Sequence, residues 1–303
     1  MSTELSLGAT VVALKCAAEP TRLRLLALLA HGELSVTEVC KVLGQSQPRV
    51  SRHLRLLTEA GFLDRFREQQ SIYYRTPARL PAYGWLKQLL EQVDVREPML
   101  RRDRDKVALV LAARGKAAAG ELRRQQRLPT DPLLSPELTD ALMQEVGPVS
   151  VGELLDIGTG NGELLTILAR RARHAVGIDI SAAALRMART RLHGAGLSHC
   201  EFRRGDMYDL PCDDASFDTV SMDRLLARAA RPGDALREAA RALRPSGRLI
   251  VVEQVEQLQG ESRERPVQQL RSWLAEAGLA AARLRPCDVG TEQFLIATAR
   301  RTT

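Results

Sequence analysis

The stretch Leu154-Leu155-Asp156-Ile157-Gly158-Thr159-Gly160-Asn161-Gly162 constrains the fold of this chain more than any other. A short apolar run reads as a buried parallel strand and runs directly into a glycine-rich loop. Behind the loop, Glu163-Leu164-Leu165-Thr166-Ile167-Leu168-Ala169 has the apolar periodicity of a helix. Glycines suit such a loop because the chain must turn tightly and let a ligand approach the backbone with no Cβ in the way. The free amides of the helix's first turn would face that ligand. About 20 residues on, Val176-Gly177-Ile178-Asp179 reads as a second strand ending in an acid. A nucleoside-binding fold places a carboxylate there for ribose hydroxyls.

A lone Gly-x-Gly-x-Gly fits a dinucleotide site as well. Three details favour S-adenosylmethionine. Asp156 precedes the glycines, Gly205-Asp206-Met207 follows a third apolar segment, and Phe217-Asp218-Thr219-Val220 and then Leu243-Arg244-Pro245-Ser246-Gly247-Arg248-Leu249-Ile250-Val251-Val252 come in order. Together they resemble the class I methyltransferase fold, a Rossmann-like α/β domain, over residues 151–303. The resemblance implies that Gly158, Gly160 and Gly162, with Thr159 between them, lie under the methionine moiety. Asp156 would hold that loop or reach the amino group through water. Asp179 would accept both ribose hydroxyls and Ile180 would pack on adenine. Asp206 would take the adenine amino proton with Met207 beside it, and Met222 and Asp223 would close the floor. Carboxylates are suitable partners because adenosine presents donors at the ribose and the amino group.

With 303 residues the chain has room for two domains, each with its own core. No apolar run approaches the ~20 residues that span a bilayer. The N-terminus lacks the blocks of a signal peptide, so a cytoplasmic protein is expected. Five cysteines (Cys16, Cys40, Cys200, Cys212 and Cys287) are scattered without a Cys-x-x-Cys, the usage of reduced thiols. The net charge of +7 is uneven: residues 1–80 hold 11 Lys/Arg against 7 Asp/Glu, whereas residues 151–303 hold 22 against 20. An excess concentrated in the smaller part points to a polyanionic partner there.

In that part, Leu7, Val11 and Leu14 have helical spacing within residues 5–18. A second helix opens at Pro20 and stops before Gly32. Ser35-Val36-Thr37-Glu38 reads as a capping box opening a third helix, which Gly44 ends. After the turn Gly44-Gln45-Ser46-Gln47, Pro48 sits in the first turn of a fourth helix running to about Ala60. Two short helices across a tight turn make a helix-turn-helix. Ser46, Gln47, Arg49, Ser51, Arg52, His53 and Arg55 offer a polar face for base edges and phosphates of the major groove, over a buried stripe of Val50, Leu54 and Leu57. Gly61 to Arg67 and Ser71 to Arg75 read as two strands of a β-wing carrying Arg65, Arg67 and Tyr74 toward DNA.

Residues 5–95 resemble the ArsR-type winged-helix repressors, most densely at Glu19-Pro20-Thr21-Arg22-Leu23-Arg24 and Ser46-Gln47-Pro48-Arg49-Val50-Ser51-Arg52-His53-Leu54. The resemblance implies a winged helix-turn-helix domain over residues 1–96 and a homodimer paired through the first helix and one near Trp85–Val93. Two reading helices would then meet a palindromic operator on double-stranded DNA. Arsenic-sensing members carry three thiols on the third helix; the matching positions here are Ser35, Thr37 and Cys40, and one thiolate is a poor site for a soft metal. No histidine falls between residues 80 and 100 for the other metal site of the family, so no metal is expected. Residues 97–150 read as a charged helical linker. Arg101-Arg102-Asp103-Arg104-Asp105-Lys106 alternates in sign like a solvated face, and Glu121 to Gln126 lacks the aromatic positions of a catalytic lid.

No catalytic residue can be named. Ser221-Met222-Asp223-Arg224-Leu225 is not the Asn/Asp-Pro-Pro-aromatic stretch of amine methylation, and Cys212 sits in an acidic turn that disfavours a thiolate. Two functions stay open. One is a transcriptional repressor whose methyltransferase-like domain binds S-adenosylhomocysteine or S-adenosylmethionine as effector, similar to S-adenosylhomocysteine-responsive regulators that join these two domains. The other is an active methyltransferase on a small molecule with an accessory DNA-binding domain.

Overall fold

The computed structural model describes residues 6–68, 70–77, 90, 92–94, 96–124, 134–258 and 266–302. The chain divides into two compact units, residues 1–117 with 192–199, and residues 118–191 with 200–303.

The first unit opens with α1 (Leu7–Ala17), α2 (Pro20–Leu29), β1 (Leu34–Ser35), α3 (Val36–Leu43), α4 (Gln47–Glu59), β2 (Asp64–Glu68) and β3 (Ser71–Arg75). Local chemistry sets each boundary. Glu19 caps α2, its carboxylate accepting from the Arg22 amide at 2.8 Å. The capping box at Ser35 forms: the Ser35 hydroxyl accepts from the Glu38 amide, and Glu38 accepts from the Ser35 amide at 2.8 Å. Gly44 then ends α3 at φ 65°, a left-handed conformation that glycine adopts without a Cβ penalty. Val50, Leu54 and Leu57 of α4 face a core with Leu25, Leu29, Val39 and Phe62. The three strands pair antiparallel in the order β1-β3-β2, with Leu34 opposite Tyr74 and Phe66 opposite Tyr73. The first wing strand begins at Asp64 rather than Gly61, because Phe62 and Leu63 turn into the core instead of extending. The helix expected near Trp85–Val93 lies largely outside the described residues.

Helix α5 (Pro98–Arg124) is continuous. Asp103, Val107, Leu111, Arg114, Ala118 and Leu122 recur at intervals of three or four and are all buried. Arg101 to Lys106 is therefore a solvated face with one exception. Asp103 is 2% exposed and accepts from Arg24 Nε at 2.7 Å and Nη2 at 2.8 Å. Arg114 pairs with Glu38, its Nε reaching Oε1 at 2.6 Å.

The second unit continues with α6 (Pro136–Val146), β4 (Gly152–Ile157), α7 (Glu163–Ala169), β5 (Ala172–Asp179), α8 (Ala182–Gly194), β6 (Cys200–Arg204) and β7 (Phe217–Asp223). A 3₁₀ turn at Leu226–Arg228 leads to α9 (Pro232–Ala242), β8 (Leu243–Gln254), α10 (Pro266–Glu276), β9 (Leu279–Val289) and β10 (Glu292–Arg301). Seven strands form one sheet in the order β6-β5-β4-β7-β8-β10-β9. The first five run parallel; β10 lies antiparallel between β8 and β9. β4 is buried at every residue, as a parallel strand covered on both faces must be. Because β4 connects onward to β5 on one side and its other neighbour is β7, the strand order reverses beside it. Such a reversal opens a crevice at the strands' C-terminal ends. Among the described residues, no helix is long and apolar enough to cross a membrane.

Candidate functional site

The loop that follows β4 turns through three left-handed glycines, Gly158 at φ 69°, Gly160 at φ 54° and Gly162 at φ 78°. L residues with a Cβ rarely adopt that conformation. At Gly158 the space is restricted too: a Cβ there would lie 2.7 Å from Leu225 Cδ1. Asp179, at the end of β5, accepts from the Gly160 amide at 2.9 Å and from the Ser181 amide at 2.7 Å, so one carboxylate ties the two loops together.

These loops border a cavity of about 490 Å³, within the range of small-molecule sites. Of the residues expected from sequence, it brings together Asp156, Gly158, Thr159, Gly160, Asp179, Ile180 and Asp223. Ile180 is 54% exposed at its edge, an apolar platform facing solvent. Four expected residues stand apart from the lining. Gly162 is the N-cap of α7. Met222 faces the sheet's core, paired in register with Ile157. Met207 packs against that same core. Asp206 caps its own turn, accepting from the Tyr208 amide at 3.1 Å.

The lining also holds residues that sequence reasoning did not single out: Leu122, Glu163, Met187, Arg224, Leu225 and Arg228. Leu122 packs with Ala183, Ala184 and Met187, so an aliphatic side chain stands where aromatic lid positions were sought. Its signal was spacing, four residues after the buried Ala118. Arg224 gave no such signal. It has φ 48° and places Nε 3.1 Å and Nη2 2.9 Å from the two Asp223 oxygens.

Electrostatics follow from burial. The Asp156 carboxyl is pushed up to about 7 by burial, against the hydrogen bond from Ser221 that favours its anion. Burial likewise raises Asp223, opposed by Arg224, and Glu163, opposed by Arg191 and Arg224. Glu253, at the end of β8, is pushed up to about 7 by burial while its Oε1 accepts from the Leu226 amide at 2.6 Å. It holds the 3₁₀ turn behind the cavity. The Cys212 thiol is raised, as expected, but burial is the main cause rather than the acidic turn. Arg241 and Arg203 work in the opposite direction, and Arg241 takes up Asp214 at 2.7 Å.

On the first unit, Ser46, Gln47, Arg49, Arg52 and Arg55 are exposed along the start and outer face of α4, with Ser51 and His53 half-buried. His53 Nδ1 lies 3.5 Å from Glu19 Oε2. Arg22, Arg49, Arg52 and His53 border one depression, which adds Arg22 to the expected cationic face. Arg65 and Arg67 are exposed on β2. Tyr74, expected on that face, is instead buried in the winged-helix core, because β3, packed against α3, turns it inward. A cationic helix N-terminus flanked by an arginine-bearing hairpin suits a phosphate backbone.

Comparison with known proteins agrees with both halves. Residues 19–65 match the model of the bacterial regulatory protein arsR family, and residues 150–281 match a methyltransferase domain. The arsenic resistance transcriptional regulator ArsR1 of Pseudomonas putida is 41% identical over 106 residues, 34% of this chain and 78% of that protein. A demethylmenaquinone methyltransferase of Clavibacter sepedonicus is 37% identical over 113 residues, 37% of this chain and 45% of that protein, so the chain spans less than half the length of that relative. A SAM-dependent methyltransferase from Aquifex aeolicus superposes with a TM-score of 0.44 at 20% identity, over 53% of this chain and 88% of that one.

Proposed function

This chain belongs to the arsR family of bacterial regulatory proteins and carries a methyltransferase domain after the DNA-binding one, and on that premise we propose that it is a transcriptional repressor whose second domain binds S-adenosylhomocysteine or S-adenosylmethionine as an effector. In this reading it works in the cytoplasm as a homodimer on a palindromic operator. Arg49, Arg52 and Arg55 reach the major groove, and Arg22, Arg65 and Arg67 reach phosphates.

One observation carries the effector reading. Helix α5 supplies Leu111 and Arg114 to the winged-helix unit and, further along, Leu122 to the lining of the cleft. A ligand that contacts Leu122 therefore contacts an element the DNA-binding unit is built on. The regulation is a population shift in which the nucleoside favours one conformation and operator DNA the other. A 100-fold difference in affinity corresponds to ~2.7 kcal/mol, enough to switch occupancy of an operator.

The test is an operator mobility assay with the full chain, titrated with S-adenosylmethionine and S-adenosylhomocysteine in parallel. A shift of tenfold or more in apparent DNA affinity with either ligand is expected. No response to either, with both bound in calorimetry, would overturn the effector role. The second reading, a small-molecule methyltransferase, is suited equally by the intact glycine loop and by the Asp179 carboxylate beside it, since sensing and catalysis need the same cofactor contacts. Methyl transfer by positioning alone requires no base.

A further inference from the structure

The first unit holds a cavity of its own. Its volume is about 330 Å³, at the lower end of the range for small-molecule sites, and it shares no lining residue with the glycine-loop cleft. Every residue that lines it falls within 1–117 or 192–199. The walls are mostly aliphatic. Helix α2 gives Ala27 and Leu28, and one face of α5 gives Leu100, Val107 and Leu111 at intervals of seven and four. Two imidazoles, His31 and His193, interrupt this apolar lining.

Three observations bear on what those rings are for. A Cβ on Gly32 would lie 2.6 Å from His193 Nδ1, so the ring reaches its place only because residue 32 is glycine. That Nδ1 is buried with no hydrogen-bond partner among the described residues, so it makes no structural bond that would account for a polar ring here. The charges acting on the two rings are mostly positive: Arg114 and His31 on His193, opposed by Glu38, and Arg104 on His31. Nearby carboxylates are already engaged. Arg114 Nε donates to Glu38 at 2.6 Å, and Arg24 donates to both oxygens of Asp103 at 2.7 and 2.8 Å. Burial, helped by the cations, pushes His193 down to about 4 and also lowers His31, so both rings are neutral at pH 7. An anion entering this cavity would supply the negative charge that the rings lack.

We propose that the cavity binds a small apolar carboxylic acid, its hydrocarbon part between Leu28, Leu100, Val107 and Leu111 and its carboxylate against His31 and His193. As the carboxylate seats, an imidazole takes up a proton from solvent and the two form a charge-assisted hydrogen bond. The site stands independently of the nucleoside reading of the cleft.

Calorimetry on the full chain tests it with two acids and the alcohols of the same carbon skeletons: 1-naphthoate against 1-naphthylmethanol, and octanoate against 1-octanol. At least one acid is expected to bind about tenfold or more tightly than its alcohol. Its affinity should rise about threefold from pH 8 to pH 6, as the bound carboxylate returns an imidazole toward its ordinary ~6.5, while the alcohol stays unchanged. His31→Gln, at an exposed position, should weaken the acid about fivefold and leave the alcohol within about twofold. Ala108 lines the cavity and is itself exposed, so Ala108→Trp should fill the space and remove binding while the urea midpoint holds. Acid and alcohol binding equally, or an acid affinity flat with pH, would overturn the pairing with the imidazoles and so the proposal. Undiminished binding in Ala108→Trp would place the ligand elsewhere and overturn it too, as would binding of neither acid.

Discussion

The Ser221 hydroxyl donates to Asp156 Oδ1 at 2.6 Å, joining the neighbouring parallel strands β7 and β4 directly beneath the glycine loop. The bond is fully buried, and Asp156 pays for that position with a carboxyl raised to about 7.

A pH dependence of stability follows. The folded value lies above the ordinary ~3.9, so the fold favours the protonated acid. That contribution is complete below about pH 4 and is lost as the pH rises through about 7. Glu253 acts with the same sign from its own value of about 7. The urea midpoint should therefore fall between pH 5 and 7.5, each acid adding a slope of at most about 1.4 kcal/mol per pH unit. Asp156→Asn should remove about half of the dependence. A wild-type midpoint constant across that range would contradict the assignment.

Asp103 is bonded by both Arg24 nitrogens inside the winged-helix unit. Removing one partner of a buried pair leaves the other charge uncompensated, so Asp103→Ala should destabilise that unit by about 3 kcal/mol. Arg102→Ala, one residue away and exposed, should change stability by less than about 0.5 kcal/mol. Urea unfolding of the two variants, side by side, would expose a misplaced helix register if the order were reversed.

For DNA, Arg49→Ala and Arg52→Ala should each weaken operator binding about tenfold. Nucleoside affinity in calorimetry should stay unchanged. Tyr74→Phe should leave operator affinity within about twofold, since its ring is buried rather than presented. Fluorescence anisotropy at two salt concentrations reads all three. A large effect of Tyr74→Phe with a small one for Arg52→Ala would invert the proposed face.

In the cleft, Asp179→Ala should lower nucleoside affinity by a hundredfold or more, since it removes the proposed ribose acceptor and the tie between the two loops. Gly158→Ala should do the same by another route, with a Cβ at φ 69° set against Leu225. Gly120→Ala, where the nearest atom to a new Cβ is a flexible Arg124 nitrogen at 3.7 Å, is the control and should bind normally. Calorimetric titration separates these; unchanged binding in Gly158→Ala would mean the ligand does not use this loop.

Sequence by itself determined the elements and their order. Capping boxes, left-handed glycines and apolar periodicity are local, and Ser35, Gly44 and the Gly158 to Gly162 loop each behave as their neighbours dictate. The order of motifs likewise pointed to the class I methyltransferase fold, while the structure places β4 between β5 and β7. What only tertiary structure decided is which polar residues are buried and whom they meet. Asp103 reads as one more charge in an alternating run, yet it faces Arg24, 79 positions away in the chain. Tyr74 reads as part of a wing and fills a core, and Met222 reads as cleft floor and packs behind it. Arg224 carries no local signature because its orientation depends on a bond to Val252 in the adjacent strand. Short-range preferences act within a few residues, whereas the partner of a buried charge is set by whichever distant strand or helix the packed fold places against it.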